Sequence, residues 1–299
     1  MINSIKSIDI ENTSLCGADC IMCLRNNLDY YYGVMPFELF KKSVKNAYNI
    51  GINIFVFGAF GDPLMDNLFE ERLKYIKKEN PNAKIGITTT GHLLDEKNTK
   101  LLCDYADSVK ISNYGFTKET YEAVHKGKLV YEEVKQNINY YLNIPGRPRT
   151  ILTFLILPQN EGDLENWKNY YEPICDEINV WKPHNWGGNI NTGFLGTITS
   201  KCRKVLELSG LVIRADGRVS LCSHDINNKL IIGDINTKEL DSIIESEAVK
   251  MIQNIHNEGT ILESELPCKN CDQIRDRNDA LVYTNNPSMV VGKYSLFKN

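Results

Sequence analysis

Cys16, Cys20 and Cys23 form the pattern C-x3-C-x2-C near the start of the chain. Three thiolates within eight residues can point at one centre only if the backbone wraps around it. A structural zinc site takes four ligands, and this near set holds three. Three thiolates can instead hold three corners of a 4Fe–4S cube and leave one iron open to a further ligand. Packing makes no demand for three cysteines at this spacing. A second group is looser: Cys202, Cys222 and then Cys268-x2-Cys271. A hairpin plus a CxxC brings four thiolates together. A four-cysteine zinc site is one use for them, although zinc ribbons usually show two CxxC knuckles and Cys202 and Cys222 stand twenty residues apart. Cys103, on an apolar helix face, and Cys175, just before a strand, read as core filler. A thiol hydrogen donor is the alternative for Cys175.

Other polar residues sit where a ligand is expected. The segment GAFGDP (Gly58 to Pro63) ends a strand, and its glycines admit a ligand close to the backbone; an ordinary turn is the plain alternative. In the strands KIGITTT and SVKIS, Thr88 shares a face with Thr90, and Lys110 with Ser112. Lysine is rarely buried unless paired, so these positions, near the C-terminal ends of their strands, read as the lining of a polar site or as structural pairs. WKPHNWGGN (Trp181 to Asn189) offers Lys182, Asn185, a flat apolar surface in Trp186 and a base in His184. His92, His125, His224 and His256 show no ligand spacing and read as ordinary.

These residues need a scaffold. The first 180 residues alternate strand and helix. Ile5 to Asn12 alternates apolar and polar, as a strand does. Pro36 opens a helix with Phe37, Phe40, Val44 and Tyr48 on one face, and INIFVF reads as a buried strand. The cycle repeats: helices near residues 67–79 and 96–105, two around 118–143 and one near 164–171, with strands KIGITTT, SVKIS, TILTFLIL and EINVW between them. Six strands joined by helical crossovers are expected to be parallel, which predicts an α/β fold of open or partial (βα)6 barrel type with ligands at the C-terminal strand ends. After Trp181 the pattern changes. A Gly/Asn-rich linker or lid precedes GLVIR-ADG-RVSLC, a hairpin turning at Asp216-Gly217. A short strand KLIIGDI, a helix over residues 238–257 and CKNC follow.

Composition excludes several classes. Apolar residues make up 42% and charged residues 24% of 299, enough for a real core. With 34 basic and 38 acidic residues, a net −4, there is no electrostatic footprint for nucleic acid or an anionic membrane. No apolar run reaches transmembrane length, and the N-terminus has no signal-peptide core. An odd count of nine cysteines without an export signal argues against a disulfide framework. A cytoplasmic protein is expected.

The C-x3-C-x2-C after the first strand of such a barrel resembles the signature of the radical S-adenosylmethionine superfamily, over most of the chain. The resemblance implies a cluster on Cys16, Cys20 and Cys23 whose open iron chelates S-adenosylmethionine, the source of a 5′-deoxyadenosyl radical. Met22 departs from the aromatic residue common before the third cysteine. GAFGDP is similar to the family's "GGEP" segment, with Asp62 for the commoner Glu, which implies S-adenosylmethionine binding at Gly61, Asp62 and Pro63. Thr90 and Ser112 fall where members contact the methionyl carboxylate or the ribose. The later cysteines resemble the SPASM and "twitch" pattern, which implies an auxiliary 4Fe–4S cluster on Cys202, Cys222, Cys268 and Cys271. No cysteine follows Cys271, as in the shorter twitch version with one cluster. The implied organisation is a partial (βα)6 TIM-like barrel over residues 1–182, a linker or lid over 183–201 and a small β-hairpin/helix twitch domain over 202–299. The implied function is oxidation of a polar small molecule, such as a sugar or aminocyclitol alcohol. The auxiliary cluster would be the electron acceptor, His184 or Lys110 the base, and a flavodoxin- or ferredoxin-type protein the reductant. A peptide maturase or epimerase is the alternative; strand one begins by Ile5, which leaves no room for an N-terminal peptide-binding domain. Outside enzymes, a zinc-stabilised binding protein is the alternative.

Overall fold

The computed structural model describes residues 5–27, 31–192, 201–275 and 280–289. In chain order these contain β1 (Ser7–Ile10), α1 (Phe37–Asn49), β2 (Ile54–Phe57), α2 (Phe69–Glu79), β3 (Lys84–Thr89), α3 (Glu96–Tyr105), β4 (Ser108–Ser112), α4 (Lys118–His125), α5 (Tyr131–Leu142), β5 (Arg149–Leu155), α6 (Leu164–Tyr171) and β6 (Glu177–Trp181). There follow α7 (Arg203–Leu206), β7 (Val212–Ile213), β8 (Arg218–Ser220), β9 (Ile231–Asp234), α8 (Leu240–Ile244), α9 (Glu247–Glu258) and β10 (Leu281–Thr284). The alternation of six strands with helices is the one the hydrophobic periodicity predicts. One expected helix, over 238–257, is two. Ser246 interrupts it with an extended backbone (φ −65°, ψ 155°) and stands at the N-cap of α9, a position its residue type favours.

The chain forms two compact units. The first comprises Met1–Leu15, Leu24–Ile85 and Asn185–Asp276; the second comprises Cys16–Cys23, Gly86–His184 and Arg277–Asn299. Ranges 1–182 and 202–299 therefore do not map onto one unit each. Of the expected linker, 193–200 lies outside the described residues.

In the first unit the strand order is β2-β1-β7-β8-β9. β1 and β2 run parallel, Ser7 beside Ile54 and Ile10 beside Phe57. The free edge of β1 takes β7, also parallel, through Asp9 N–H to Leu211 O at 3.0 Å and Glu11 N–H to Ile213 O at 2.9 Å. That edge pairing is why the hairpin β7–β8 belongs with the first strands. Ile8, Ile10, Phe40, Phe55 and Phe57 fill this core, with Phe57 edge-on to Phe69 at 5.2 Å. α9 packs on α7, and Gln253 Nε2 donates to Val205 O and Leu206 O, both at 3.2 Å. Carbonyls at the end of α7 are thereby satisfied.

In the second unit β3, β4, β5 and β6 are parallel and β10 closes the order antiparallel to β6. Val109, Ile111, Leu152, Phe154, Ile178 and Val180 are buried. Trp167 on α6 is also buried, with Nε1 donating to Asn113 Oδ1 at 2.9 Å.

Candidate functional site: two thiol sets and a polar sheet face

The loop bearing Cys16, Cys20 and Cys23 belongs to the second unit. A tight turn sets its last two cysteines: Cys23 N–H donates to Cys20 O at 3.0 Å. Ile21 N–H reaches Val124 O on α4 at 2.9 Å and docks the loop on the helix end. The three thiols feel one another. Burial pushes the Cys20 thiol up, and Cys23 and Cys16 push it further. Two histidines flank the loop. His92 Nε2 lies where a Cβ on Gly17 would meet it at 2.7 Å, and its Nδ1 is 2.6 Å from Thr90 Oγ1. His125 Nδ1 is 2.9 Å from Cys20 Sγ. His125 is fully buried, with its ring parallel to Tyr114 at 5.8 Å and tilted on Tyr121 at 4.2 Å. Burial, then His92, holds its pKa down to about 4. The Tyr114 hydroxyl is pushed up to about 12 by burial, against a hydrogen bond with Ser112, and Cys20 and Cys23 add to the rise. Sequence spacing predicts ordinary roles for His92 and His125. Folding brings both to the cysteine loop through contacts 105 positions apart in one case, which no local pattern reveals.

Register aligns the predicted polar residues of β3 and β4 with others the sequence does not single out. Thr88 pairs with Lys110, Lys110 with Ile151 and Ile151 with Glu177; Ser112 pairs with Thr153 and Thr153 with Asn179. Residues paired in a parallel ladder share a face. Lys110 is exposed, while its neighbours Val109 and Ile111 point into the core. Lys110 is therefore not a buried lysine, and alternation is the reason. Glu177, Thr153 and Asn179 are buried. Asn179 Nδ2 donates to Glu177 Oε1 at 2.7 Å, and Asn286 Nδ2 to Glu177 Oε2 at 2.9 Å; Arg149 pairs with the same carboxylate. His184 lies half-buried beyond β6 in this unit. The signal for the missed residues was available: polar side chains inside TILTFLIL and EINVW. Cys175 is buried, its Sγ 3.2 Å from Glu177 O, and burial holds its thiol up; it is core filler.

GAFGDP lies in the first unit. A Cβ on Gly61 would stand 1.9 Å from Thr13 O, so only glycine fits. Asp62 is buried; its N–H donates to Leu15 O at 2.8 Å and its Oδ1 accepts from Leu64 N–H at 3.1 Å, capping the turn Pro63–Met65. Pro63 O accepts from Asn12 Nδ2 at 3.2 Å, and the same amide donates to Asp66 Oδ2 at 2.9 Å. Asp66 pairs with the fully buried Arg72 at 2.6 Å. The loop is thus held by its own side chains, with Ala59 in the left-handed region at φ 71°. Phe60 stacks on Trp186 at 5.4 Å, and Trp186 meets His224 edge-on at 5.8 Å.

The second thiol set also lies in the first unit. Cys202 is the N-cap residue of α7, Cys222 follows β8, and Cys268 and Cys271 bound the turn Pro267–Asn270. Cys271 N–H donates to Cys268 O at 3.0 Å, the same turn as at Cys20 and Cys23. Sγ of Cys222 accepts from His224 N–H at 3.3 Å, and Sγ of Cys271 from Gln273 N–H at 3.4 Å. Burial pushes the Cys268 thiol up, and Cys222, Cys202 and Cys271 add to it; the Cys271 thiol rises to about 12, chiefly through burial. Asn185 is committed here. Its N–H donates to Asp272 Oδ2 at 2.9 Å, its Nδ2 to Asn270 O at 2.7 Å, and its Oδ1 accepts from Asp272 N–H at 3.1 Å. Of the segment expected to offer donors to a substrate, Asn185 instead holds the CxxC turn. Gly188 packs on it too, where a Cβ would meet Asn270 Cβ at 2.4 Å.

Both thiol sets suit an iron–sulfur group: each gathers soft sulfur donors that sense one another, three in one case and four in the other. Among the described residues no three His, Cys, Asp or Glu side chains close on a single ion. A cube spreads its cysteines over separate irons.

Residues 10–170, more than half of the chain, match the radical SAM superfamily model, and residues 202–272 match SPASM, an iron–sulfur cluster-binding domain. The chain belongs to the radical S-adenosylmethionine superfamily. It is an enzyme of that class, with a 4Fe–4S cluster, S-adenosylmethionine and an additional iron–sulfur cluster. A crystal structure of BtrN in complex with AdoMet and 2-DOIA is similar at TM-score 0.62 and 19% identity, covering 90% of this chain and 93% of that one. anSMEcpe with bound AdoMet is similar at TM-score 0.65 and 17% identity, covering 84% and 80%. These likenesses show the fold: mixed α/β with a parallel sheet core, as in the TIM-like barrels of the superfamily. Among curated proteins, a probable GTP 3′,8-cyclase of Methanococcus aeolicus is 29% identical over 170 residues, 56% of this chain and 55% of its own length. The chain thus spans about half of that relative. No helix among the described residues is long and apolar enough to cross a membrane.

Proposed function

We propose that the chain oxidises a carbinol of a polar small molecule, an aminocyclitol or sugar-like alcohol, to a ketone. The observation that carries this reading is the sheet face on which Thr88 and Lys110, and Thr153 and Asn179, stand in register. Hydroxyls, an amide and an ammonium in rows suit a substrate rich in hydroxyl and amino groups. The sequence resemblance to 2-deoxy-scyllo-inosamine dehydrogenase and the fold shared with BtrN, solved with 2-DOIA, support the same class.

When bound, the clusters and S-adenosylmethionine supply a hydrogen-atom acceptor and an electron acceptor. The carbinol carbon loses one hydrogen atom and one electron, and the hydroxyl loses its proton, so the C–O bond becomes a carbonyl. The chain's part is to bind the alcohol, aim its C–H and take the hydroxyl proton. His184 is our candidate base, with Lys110 the alternative. Gly61, Asp62 and Pro63, with Thr90 and Ser112, are the residues we assign to S-adenosylmethionine. The auxiliary group is a 4Fe–4S cluster on Cys202, Cys222, Cys268 and Cys271, and four cysteine ligands leave it no open iron, which favours electron transfer. A flavodoxin- or ferredoxin-type protein supplies the reducing electron.

A peptide substrate is the second reading. Streptococcus suis SuiB, solved bound to precursor peptide SuiA, shares the fold at TM-score 0.65 and 12% identity. The test is a screen of the anaerobically reconstituted protein against aminocyclitols, sugars and peptides, following 5′-deoxyadenosine and a ketone product together. Ketone in step with 5′-deoxyadenosine supports the dehydrogenase. Consumption of peptides alone overturns it.

A further inference from the structure

The contact between His125 and the cysteine loop goes beyond the ligand set. We infer that His125 is a positioning and tuning residue, its Nδ1–H donating to Cys20 Sγ and thereby setting the reduction potential of the cluster held by Cys16, Cys20 and Cys23. The inference rests on the family assignment of that cluster to the loop.

Geometry fixes the donor. Nδ1 stands 2.9 Å from Sγ, and a cysteine thiolate can only accept. His125 Nε2 is buried with no hydrogen-bond partner among the described residues. A proton on Nε2 would leave a buried N–H unpaired, which costs about 1–3 kcal/mol. Nε2 is unpaired in either tautomer, so the contact at Nδ1 decides: a proton there meets the sulfur, whereas a bare Nδ1 lone pair would face a thiolate that can only accept. The ring has little room to turn away, between Tyr114 at 5.8 Å and Tyr121 at 4.2 Å. The Ile21 to Val124 backbone bond ties the loop to the last turn of the same helix, so loop and donor move as one piece. No ligand role is required of the imidazole: three cysteines already fill three corners.

The consequence follows from charge. A hydrogen bond to a ligand sulfur draws electron density from the cluster and favours the reduced state, and such bonds are among the levers that set cluster potentials. His125 therefore holds the potential above the value the bare thiolates would give, which makes the cluster easier to reduce.

The experiment uses the full reconstituted chain. Wild type, His125→Gln and His125→Phe are titrated potentiometrically, following the electron paramagnetic resonance signal that changes on adding S-adenosylmethionine. With iron content equal to wild type, His125→Phe is expected to shift to lower potential and His125→Gln, which keeps an N–H donor, to recover part of the shift. Wild-type potential in an iron-replete His125→Phe overturns the inference. Pulsed resonance on reduced wild type grown with ¹⁵N-histidine needs no variant to fold. A histidine nitrogen coupled to this cluster, lost in His125→Gln, is expected; no coupling in wild type overturns the inference. If Cys16, Cys20 and Cys23 replaced together by alanine leave the iron content unchanged, the family assignment fails instead.

Discussion

Asn185 and Asp272, 87 positions apart, exchange two hydrogen bonds: the Asn185 N–H to Asp272 Oδ2 at 2.9 Å and the Asp272 N–H to Asn185 Oδ1 at 3.1 Å. Asn185 Nδ2 adds a third bond to Asn270 O at 2.7 Å. The turn carrying Cys268 and Cys271 is thereby clamped to the segment that leaves β6. Asn185→Ala removes the acceptor of the Asp272 N–H bond and the donor to Asn270 O, at a cost of about 1–3 kcal/mol. The expected outcome is iron lost from the auxiliary site under mild chelation, with S-adenosylmethionine cleavage retained. Iron counts and 5′-deoxyadenosine assays on the same samples check it; a chelation rate equal to wild type contradicts it.

The two thiol sets should separate by mutation. Replacing Cys16, Cys20 and Cys23 together should remove one cluster and abolish cleavage of S-adenosylmethionine. Cys268→Ala should loosen or lose the other, leaving reductant-driven cleavage in place but stopping ketone formation. Full product from a protein shown to lack the auxiliary cluster would remove its role in turnover.

The proton acceptor is tested by His184→Ala. General-base catalysis contributes roughly 10²–10⁴-fold, so substrate conversion should fall by that order while substrate-free cleavage of S-adenosylmethionine holds. Small, equal effects on both reactions would move the search to Lys110.

Ala59 occupies the left-handed region at φ 71° in the loop before Gly61. That conformation costs a side-chain-bearing residue roughly 1–2 kcal/mol, and glycine forfeits about 0.5–1 kcal/mol in chain entropy. Ala59→Gly should therefore raise stability by up to about 1.5 kcal/mol, read as a denaturant midpoint shifted upward with unchanged slope. A lower midpoint would show that the methyl group contributes packing that outweighs the strain.

His256 on α9 is fully buried and burial lowers its pKa. The unfolded chain then binds the proton more tightly than the folded one. Its contribution to stability is complete above about pH 6.5 and is lost as the pH falls toward the lower folded value. The melting temperature of wild type relative to that of His256→Leu, measured across this range, should fall as the pH falls. Parallel curves would mean that another group carries the acid sensitivity.

Much of this was legible in the sequence. Period-two and period-3.6 patterns place β3, β4, β6, α3 and α6 at or within a residue or two of their bounds, because each buries one apolar face. The spacing of Cys16, Cys20 and Cys23 is local in sequence, whereas Cys202, Cys222, Cys268 and Cys271 are grouped only by resemblance to a known cysteine pattern. What escaped were relations set by tertiary approach. His125 lies on an unremarkable helix, and only the docking of α4 against the loop makes it a partner of Cys20. Asn185 looked like a donor for substrate because its partners, Asn270 and Asp272, are remote. Lys110 looked buried because a strand that is part of a parallel sheet is expected to be covered on both faces; here one face is open at that position.

Gly61 has a consequence for evolution of the protein. The obstacle to a Cβ there is Thr13 O at 1.9 Å, a main-chain carbonyl and not a pliant side chain. In a saturation library every codon at position 61 other than glycine should drop out, whatever substrate is used for selection. That column of the mutational map reports the backbone constraint before any effect on a bound ligand can be read. New specificity must be written at other positions, while residue 61 stays monomorphic across the descendants of any successful lineage.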